Sequence, residues 1–467
     1  MSEIQIFIAA LLVSVALLNA VANWLRVPYP IVLVVGGLAL GLVPGIPEVE
    51  LPPDLVLLIF LPPLLYSGAF FADLTSLRRD ARVISLLSIG LVLATTVAVA
   101  VLAHTVFDLP WAMAFVLGAI VSPTDPTAAT TIMRRVGAPR RTVNVLEGES
   151  LVNDASALVT YRVALAAAVG GSFSAASAGL QFVGAATGGI AIGLLVGYVV
   201  AQIRRRVDDI NTQVTISLFT GYAAFLPAEE LGVSGVLATV AAGLYLGWQA
   251  PRIVSPETRL QSYPLWEVLV FLLNATLFIL IGLQLPLVAD GLRESGTGAA
   301  TAIAYAGLAC VTVVAVRFAW SFGTTALIRA VDRRPSQLAR RGSLEVRILA
   351  AWAGMRGAVS LAAALALPLE TDAGGALPGR DLILFVTFGV ILFTLLVEGL
   401  TLPALIRRLD IHEEDGEEES EELRARLVAA GAALERIDEL AEEEWTREDT
   451  IVRLRGLYEF RRRRFKV

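Results

Sequence analysis

Apolar runs of about twenty residues, the length that crosses a hydrocarbon core roughly 30 Å thick, follow one another along most of this chain. Divided where charge, proline and glycine cluster, they give about thirteen segments: 4–25, 29–47, 54–71, 83–104, 110–133, 143–169, 177–203, 212–227, 233–249, 266–289, 298–328, 344–368 and 380–406. In lipid every backbone N–H and C=O must find an internal partner, so each segment is expected to be a helix. Composition agrees: 56% of the 467 residues are hydrophobic and 17% are charged, against about 45–50% and about 25% in soluble domains. The expected fold is an all-α polytopic membrane protein with about thirteen transmembrane helices. An ordinary soluble enzyme is excluded, and no nucleic-acid partner is expected. Segment 4–25 is too long for a signal peptide and lacks its basic start and small-residue cleavage site, so it reads as the first span.

The connections carry a second pattern. Odd-numbered connections hold 18 basic residues, among them Arg78, Arg79, Arg82, Arg134, Arg135, Arg140, Arg141 and Arg204–Arg206, whereas even-numbered ones hold only Arg293 and Arg380. Under the positive-inside rule this places the N-terminus outside and the C-terminus in the cytoplasm, in a cell (plasma) membrane crossed many times. The two expected regions are a transmembrane domain, 1–408, and a cytoplasmic tail, 409–467. The net charge of −6 belongs to the tail, since from Ile411 onward there are 17 acidic and 11 basic residues. The tail opens with an acidic block around Glu413–Glu422, expected to be a self-repelling linker. It continues with Leu423, Leu427, Ala430, Leu434 and Ile437 at amphipathic-helix spacing. It closes on Arg461–Arg464 and Lys466, a basic cluster suited to anionic lipid or to the acidic block.

Charge inside an apolar span is unfavourable by about 2.5–3.5 kcal/mol on insertion scales, so ionisable groups there are functional candidates. Three segments carry polar groups near their midpoints. In the fifth, Ser122-Pro123-Thr124-Asp125-Pro126 removes two amide donors and should break the helix. Broken helices persist in a bilayer only where they line a polar cavity. There, freed carbonyls suit a cation and Asp125 can balance the positive end of the following half-helix. The plainer alternative is a proline kink with a satisfied acid. In the sixth, Glu147-Gly148-Glu149-Ser150-Leu151-Val152-Asn153-Asp154 puts Ser150 and Asp154 on one helical face and Glu149 and Asn153 on the adjacent stripe. Oxygen donors fit a hard cation such as Na⁺ or K⁺ rather than a transition metal. Burial disfavours a bare carboxylate, so a proton and a monovalent cation can compete for Asp154. In the twelfth, Gly354-Met355-Arg356-Gly357 places a cation that needs a partner, for which Glu149 is the first choice. Arg317 and Arg162 lie off-centre and are expected to snorkel or to contact carbonyls. His104, His412 and the lone Cys310 are assigned no role.

The fifth and twelfth segments traverse in opposite directions. Two discontinuous, crossing helices in corresponding places of oppositely oriented halves are the mark of an inverted-repeat transporter.

At these residues the chain resembles the NhaP-like monovalent cation:proton antiporters, the electroneutral sodium/proton exchanger branch. The motifs are Phe60-Leu-Pro-Pro-Leu-Leu-Tyr66, Ser122-Pro-Thr-Asp-Pro126, Glu147-Gly-Glu-Ser-Leu-Val-Asn-Asp154, Asn274 through Gly282-Leu-Gln284, and Trp352-Ala-Gly-Met-Arg-Gly357, spread over about residues 5–408. The resemblance implies a homodimer with a mobile six-helix core that moves like an elevator, regulating intracellular pH and cation content. It implies Asp154 as the carboxylate that alternates between H⁺ and Na⁺ (or K⁺ or Li⁺). Asp125, Ser150 and the Thr124 carbonyl complete the site; Asn153 marks 1:1 exchange, and Glu149–Arg356 is the pair that steadies the core. No cofactor is implied. The centre of the third span lacks the acid found in some relatives, which leaves Ser67, Tyr66 or water in its place. Two rivals remain: a tail-gated monovalent cation channel, and a membrane enzyme using Asp125 and Asp154 as acid and base. The enzyme has no nucleophile–histidine arrangement in its favour.

Overall fold

The computed structural model describes residues 3–25, 27–43, 53–170, 175–294, 298–331, 343–372, 374–411, 417–443 and 445–465. Regular structure there is helical, apart from one isolated bridge between Glu370 and Ala376. The helices are α1 (Glu3–Leu25), α2 (Tyr29–Gly41), α3 (Pro53–Phe70), α4 (Leu74–Thr105), α5 (Trp111–Val121), α6 (Pro126–Val136), α7 (Arg140–Gly170), α8 (Ala175–Arg204), α9 (Ile210–Glu230), α10 (Gly235–Ile253), α11 (Pro256–Glu294), α12 (Ala299–Val331), α13 (Leu344–Trp352), α14 (Ala358–Leu365) and α15 (Arg380–Arg408). Each apolar segment of the sequence is occupied by one helix or by two half-helices. The end of the second segment, 44–47, lies outside the described residues. Five helices are long and apolar enough to cross a membrane: α4, Gly179–Arg204 of α8, Pro256–Gln284 of α11, α12 and α15.

Two helices start well before their apolar segments. α4 begins at Leu74 because Asp73 caps it, accepting from the amides of Thr75 (2.9 Å) and Ser76 (3.2 Å), so its first turns are polar. α11 starts at Pro256, where the helix runs through a polar turn ahead of its apolar stretch. Two wide turns, Leu86–Leu91 in α4 and Thr394–Glu398 in α15, have no signature in the hydropathy pattern. Each sits where a donor from elsewhere in the bundle meets the widened turn or its start. The Trp320 indole donates to the Leu86 carbonyl (3.0 Å), and the Thr394 hydroxyl accepts the Arg356 amide (3.0 Å).

The helices sort into groups by packing. α2 lies along α11, with α1 beside them. Here Gly37 and Gly282 are needed for close approach: a Cβ on Gly37 would overlap the Ile279 carbonyl, and one on Gly282 the Val34 carbonyl. α3, α8, α9 and α10 pack on one another. The third group gathers α4–α7 with α12–α15 around the polar segments.

Residues His412–Val467 form a separate compact unit. In it α16 (Glu417–Ala441) pairs with α17 (Glu448–Arg464), burying Ala430, Leu434, Ile437 and Ile451. The start of the expected acidic linker, 412–416, and Lys466 of the basic cluster lie outside the described residues.

Candidate functional site

Both expected interruptions are present. Between α5 and α6 the chain leaves the helix over residues 122–125, and Asp125 caps α6 by accepting the Thr127 amide at 2.8 Å, with Pro126 at the first helical position. The second break separates α13 from α14 over residues 353–357. The two breaks dock on each other. The Asp125 amide donates to the Met355 carbonyl (2.8 Å), and the Arg356 Nε donates to the carbonyl of Val121, the last residue of α5 (3.2 Å). Arg356 also reaches the Gly354 carbonyl. A Cβ on Gly357 would collide with the Asp125 carboxylate, so only glycine lets the strands approach this closely.

Arg356 therefore caps a half-helix whose terminal carbonyls would otherwise be orphaned, a position that favours a cation. This corrects the expected Glu149–Arg356 pair. Glu149 is joined instead by Arg317, whose Nη1 and Nη2 donate to Oε1 (2.6 Å) and Oε2 (3.0 Å) while the guanidinium also reaches the Ala350 carbonyl (3.2 and 3.3 Å). Both partners are fully buried, at 1% and 2% exposure. Arg317 does not snorkel, because a fork that can satisfy both carboxylate oxygens and a carbonyl leaves little of the guanidinium unpaired. Arg162, exposed along its side chain, pairs with Glu229.

The stripe expected on α7 faces the first break. Glu149 Oε1 accepts from the Thr124 hydroxyl (3.1 Å), and Asn153 Nδ2 donates to the Thr124 hydroxyl (2.8 Å) and carbonyl (3.3 Å). The neighbouring stripe faces a cavity of about 760 Å³, lined by Ser150 and Asp154 together with Asp125 and Thr124 from the break. Four of the five expected ion-site residues thus share one cavity. Asn153 is not among its lining residues; it stands behind Thr124 and fixes it, and its Oδ1 has no hydrogen-bond partner.

From α7 the cavity takes Asn144, Glu147, Gly148, Ser150, Leu151 and Asp154, so Asp154 is the last residue of that helix to line it. Its mouth carries Asp73 and the Arg134–Glu147 ion pair (2.6 Å). Ser67 lines the cavity while donating to the Leu64 carbonyl (2.9 Å). Tyr66 is turned away, fully buried against Trp266 and within 3.5 Å of the Ser217 hydroxyl. Of the third-span candidates, Ser67 alone faces the cavity. Tyr29, Asn274 and Ser360 also line it. The sequence reading gave them no site role: Asn274 entered only as the start of one of the motifs that carry the family resemblance, whereas Tyr29 and Ser360 carried no signal.

Comparison with known proteins follows the same residues. The family described as "Sodium/hydrogen exchanger, transmembrane" matches residues 8–408. An uncharacterised Na⁺/H⁺ exchanger of Mycobacterium tuberculosis is 39% identical over 458 residues, covering 98% of this chain and 84% of its own. The Na⁺/H⁺ antiporter ApNhaP of Aphanothece halophytica is 32% identical over 443 residues, 93% of this chain and 80% of its own. A sodium, potassium, lithium and rubidium/H⁺ antiporter of Bacillus subtilis is 33% identical over 415 residues, 86% of this chain and 61% of its own. Among solved structures, the sodium proton antiporter MjNhaP1 of Methanocaldococcus jannaschii superposes with a TM-score of 0.66 at 21% identity, covering 87% of this chain and 99% of that one.

Proposed function

The chain belongs to the sodium/hydrogen exchanger family and exchanges Na⁺ for H⁺ across a membrane; from that premise we propose that the exchange runs through Asp154, one alkali cation against one proton. The observation that carries this reading is the presence of Asp154 in the cavity wall, which it shares with Ser150, Asp125 and Thr124. An ion entering past Asp73 and Glu147 meets oxygen donors and no buried nitrogen cation before it reaches that carboxylate. Bound H⁺ or bound Na⁺ each neutralises Asp154, and only the neutral assembly crosses the apolar barrier cheaply, because an uncompensated charge there is strongly disfavoured.

The one-to-one ratio follows from how the other acids are engaged. Asp125 holds the N-terminus of α6 through the Thr127 amide, so its negative charge is balanced by a half-helix. Glu149 is held by Arg317. Position 153 is an amide rather than a second acid. Of these groups, Asp154 alone is then left to trade its partner per cycle; Glu398, buried on α15, does not line the cavity, and the exchange is electroneutral. K⁺ and Li⁺ are proposed as further substrates, since the same oxygen donors accept them and the Bacillus subtilis relative is named for both.

The architecture proposed around this site has thirteen spans, with the two broken helices crossing in oppositely oriented halves. The N-terminus lies outside and the tail in the cytoplasm, so the cavity opens to the cytoplasm. The protein works as a homodimer in which the bundle of α4–α7 and α12–α15 moves against the remaining helices. A tail-gated channel is not favoured, since the matched relatives are exchangers.

The test is direct. In everted vesicles carrying a proton gradient, added Na⁺ should dissipate the gradient at a rate independent of membrane potential, and Asp154→Asn should abolish the response. Retention of coupled exchange by Asp154→Asn, or a rate that scales with potential, would overturn the assignment.

A further inference from the structure

Beyond Asp154, α7 changes character. Ala155, Ala157, Leu158, Val159 and Tyr161 are buried, and none of them lines the cavity. At the next residue, Arg162 Nη2 lies 2.5 Å from Glu229 Oε2 near the end of α9. The second oxygen of Glu229 accepts the Gly235 amide at the start of α10 (2.9 Å), so the carboxylate is positioned from two sides. α9 packs on α3, α8 and α10, whereas α7 packs chiefly on α4, α5 and α6, with smaller contacts to α3, α8 and α10. The ion pair thus joins the helix that carries Asp154 to the other group of helices, at the end opposite the mouth formed by Asp73 and Glu147.

Tyr161, beside this pair, gives a second observation. Its hydroxyl is buried and has no hydrogen-bond partner, an arrangement that is unfavourable unless another conformation supplies one. The far end of α7 therefore holds an ion pair to α9 and, beside it, a buried hydroxyl without a hydrogen-bond partner.

We infer that Arg162 and Glu229 form a latch that holds the exchanger in the state open at the Asp73–Glu147 mouth, and that the pair parts when Asp154 becomes accessible from the opposite face. They act as positioning residues: neither touches the transported ion, and both set the balance between the two access states. The inference rests on the alternating-access reading above.

For a carrier with two access states, the ratio of half-saturating cation concentrations measured from the two faces is proportional to the ratio of their populations. Partly exposed ion pairs shift an equilibrium by about two- to fivefold. Arg162→Gln and Glu229→Gln should each raise half-saturating Na⁺ at the mouth relative to the opposite face by that factor. The reversed pair Arg162→Glu/Glu229→Arg should restore the wild-type ratio. A ratio unmoved by either neutralisation, or moved but not restored by the reversal, overturns the inference. A second measurement does not depend on magnitude. With Cys310→Ser removing the native thiol, Arg162→Cys/Glu229→Cys is bridged by a bis-methanethiosulfonate, which forms a reducible disulfide to each cysteine and releases methanesulfinate. Bridging should stop exchange and reductant should restore it; full-rate exchange by the bridged protein overturns the latch. Failure of the wild type to exchange at all would strike the functional assignment instead, so the two outcomes are distinct.

Discussion

The layer of α8, α9 and α10 and the bundle around Asp154 are both built from apolar helices, yet different forces hold them. In the layer, Ala224, Ala228, Ala238 and Ala242 form a buried cluster of small side chains. Gly193 of α8 lies so close to α10 that a Cβ would overlap the Ala238 carbonyl. Helices meeting in lipid gain little from the hydrophobic effect, so small residues bring backbones together and van der Waals contact does the rest. In the bundle, two helices are broken and the gaps are knitted by buried ions and hydroxyls: Glu149, Arg317, Arg356, Thr124, Asn153 and Thr394. Such groups are unfavourable to bury, and each is held in place by several partners. The contrast separates a chemically silent frame from a polar, discontinuous bundle that can present a carboxylate to a cavity.

Substitutions can break or sharpen that contrast. The largest expected effect is Asp154→Asn, which should reduce Na⁺-driven proton release in everted vesicles to the level of vesicles without the protein, while the melting temperature in detergent stays near that of the wild type. Next comes Glu149→Ala. It leaves Arg317 buried and unpaired, a loss of about 3–5 kcal/mol, read as a large drop in melting temperature. Glu149→Met combined with Arg317→Met should be less destabilised than either single change, since it removes both charges together. A double variant as unstable as the sum would show that the ion pair is not what ties α7 to α12.

On the frame side, Gly193→Val forces α8 away from α10, at about 1–3 kcal/mol. Melting temperature should fall while half-saturating Na⁺ is unchanged; a shifted half-saturation would erase the distinction between frame and bundle. The smallest effect is Asp73→Ala, about 1 kcal/mol for a lost helix cap. The Ser76 hydroxyl, joined by the Ser76 and Thr75 amides, holds the Asp73 carboxyl below the ordinary carboxylate range. Because the folded-state value is depressed, the stabilisation is complete above about pH 4 and disappears as the pH falls through the lowered value. The gap in melting temperature between wild type and Asp73→Ala should therefore close in acid.

Much of the site was legible from local rules. Pro123 and Pro126 remove two amide donors around an acid in mid-span, so the first interruption could be placed to the residue, and Asp125 could be read as balancing the half-helix that follows; Pro62 and Pro63, with no charge between them, stay inside α3. The i,i+4 spacing on α7 sorted Ser150 and Asp154 from Glu149 and Asn153, and that division separates the cavity face from the face packed on the break. The partner of Glu149 was not legible. Two arginines, Arg317 and Arg356, stand in apolar spans 168 and 207 residues away, and choosing between them requires knowing which helix packs on α7 and where the orphan carbonyls of α5 point. The Arg162–Glu229 contact and the turn of Tyr66 toward Ser217 are of the same kind.

What the sequence determined by itself is what depends on neighbours along the chain: the helical segments, their apolar lengths, the positions of the two breaks, and a carboxylate at 154 within an apolar span. What only the tertiary structure decided is what depends on distance across the chain. It gave Glu149 to Arg317 and left Arg356 to cap α5, set Asp154 in the cavity wall, and paired Arg162 with Glu229. Periodicity and proline act through the local backbone, whereas buried charges are paired by whichever helices pack together, and packing is a property of the whole bundle.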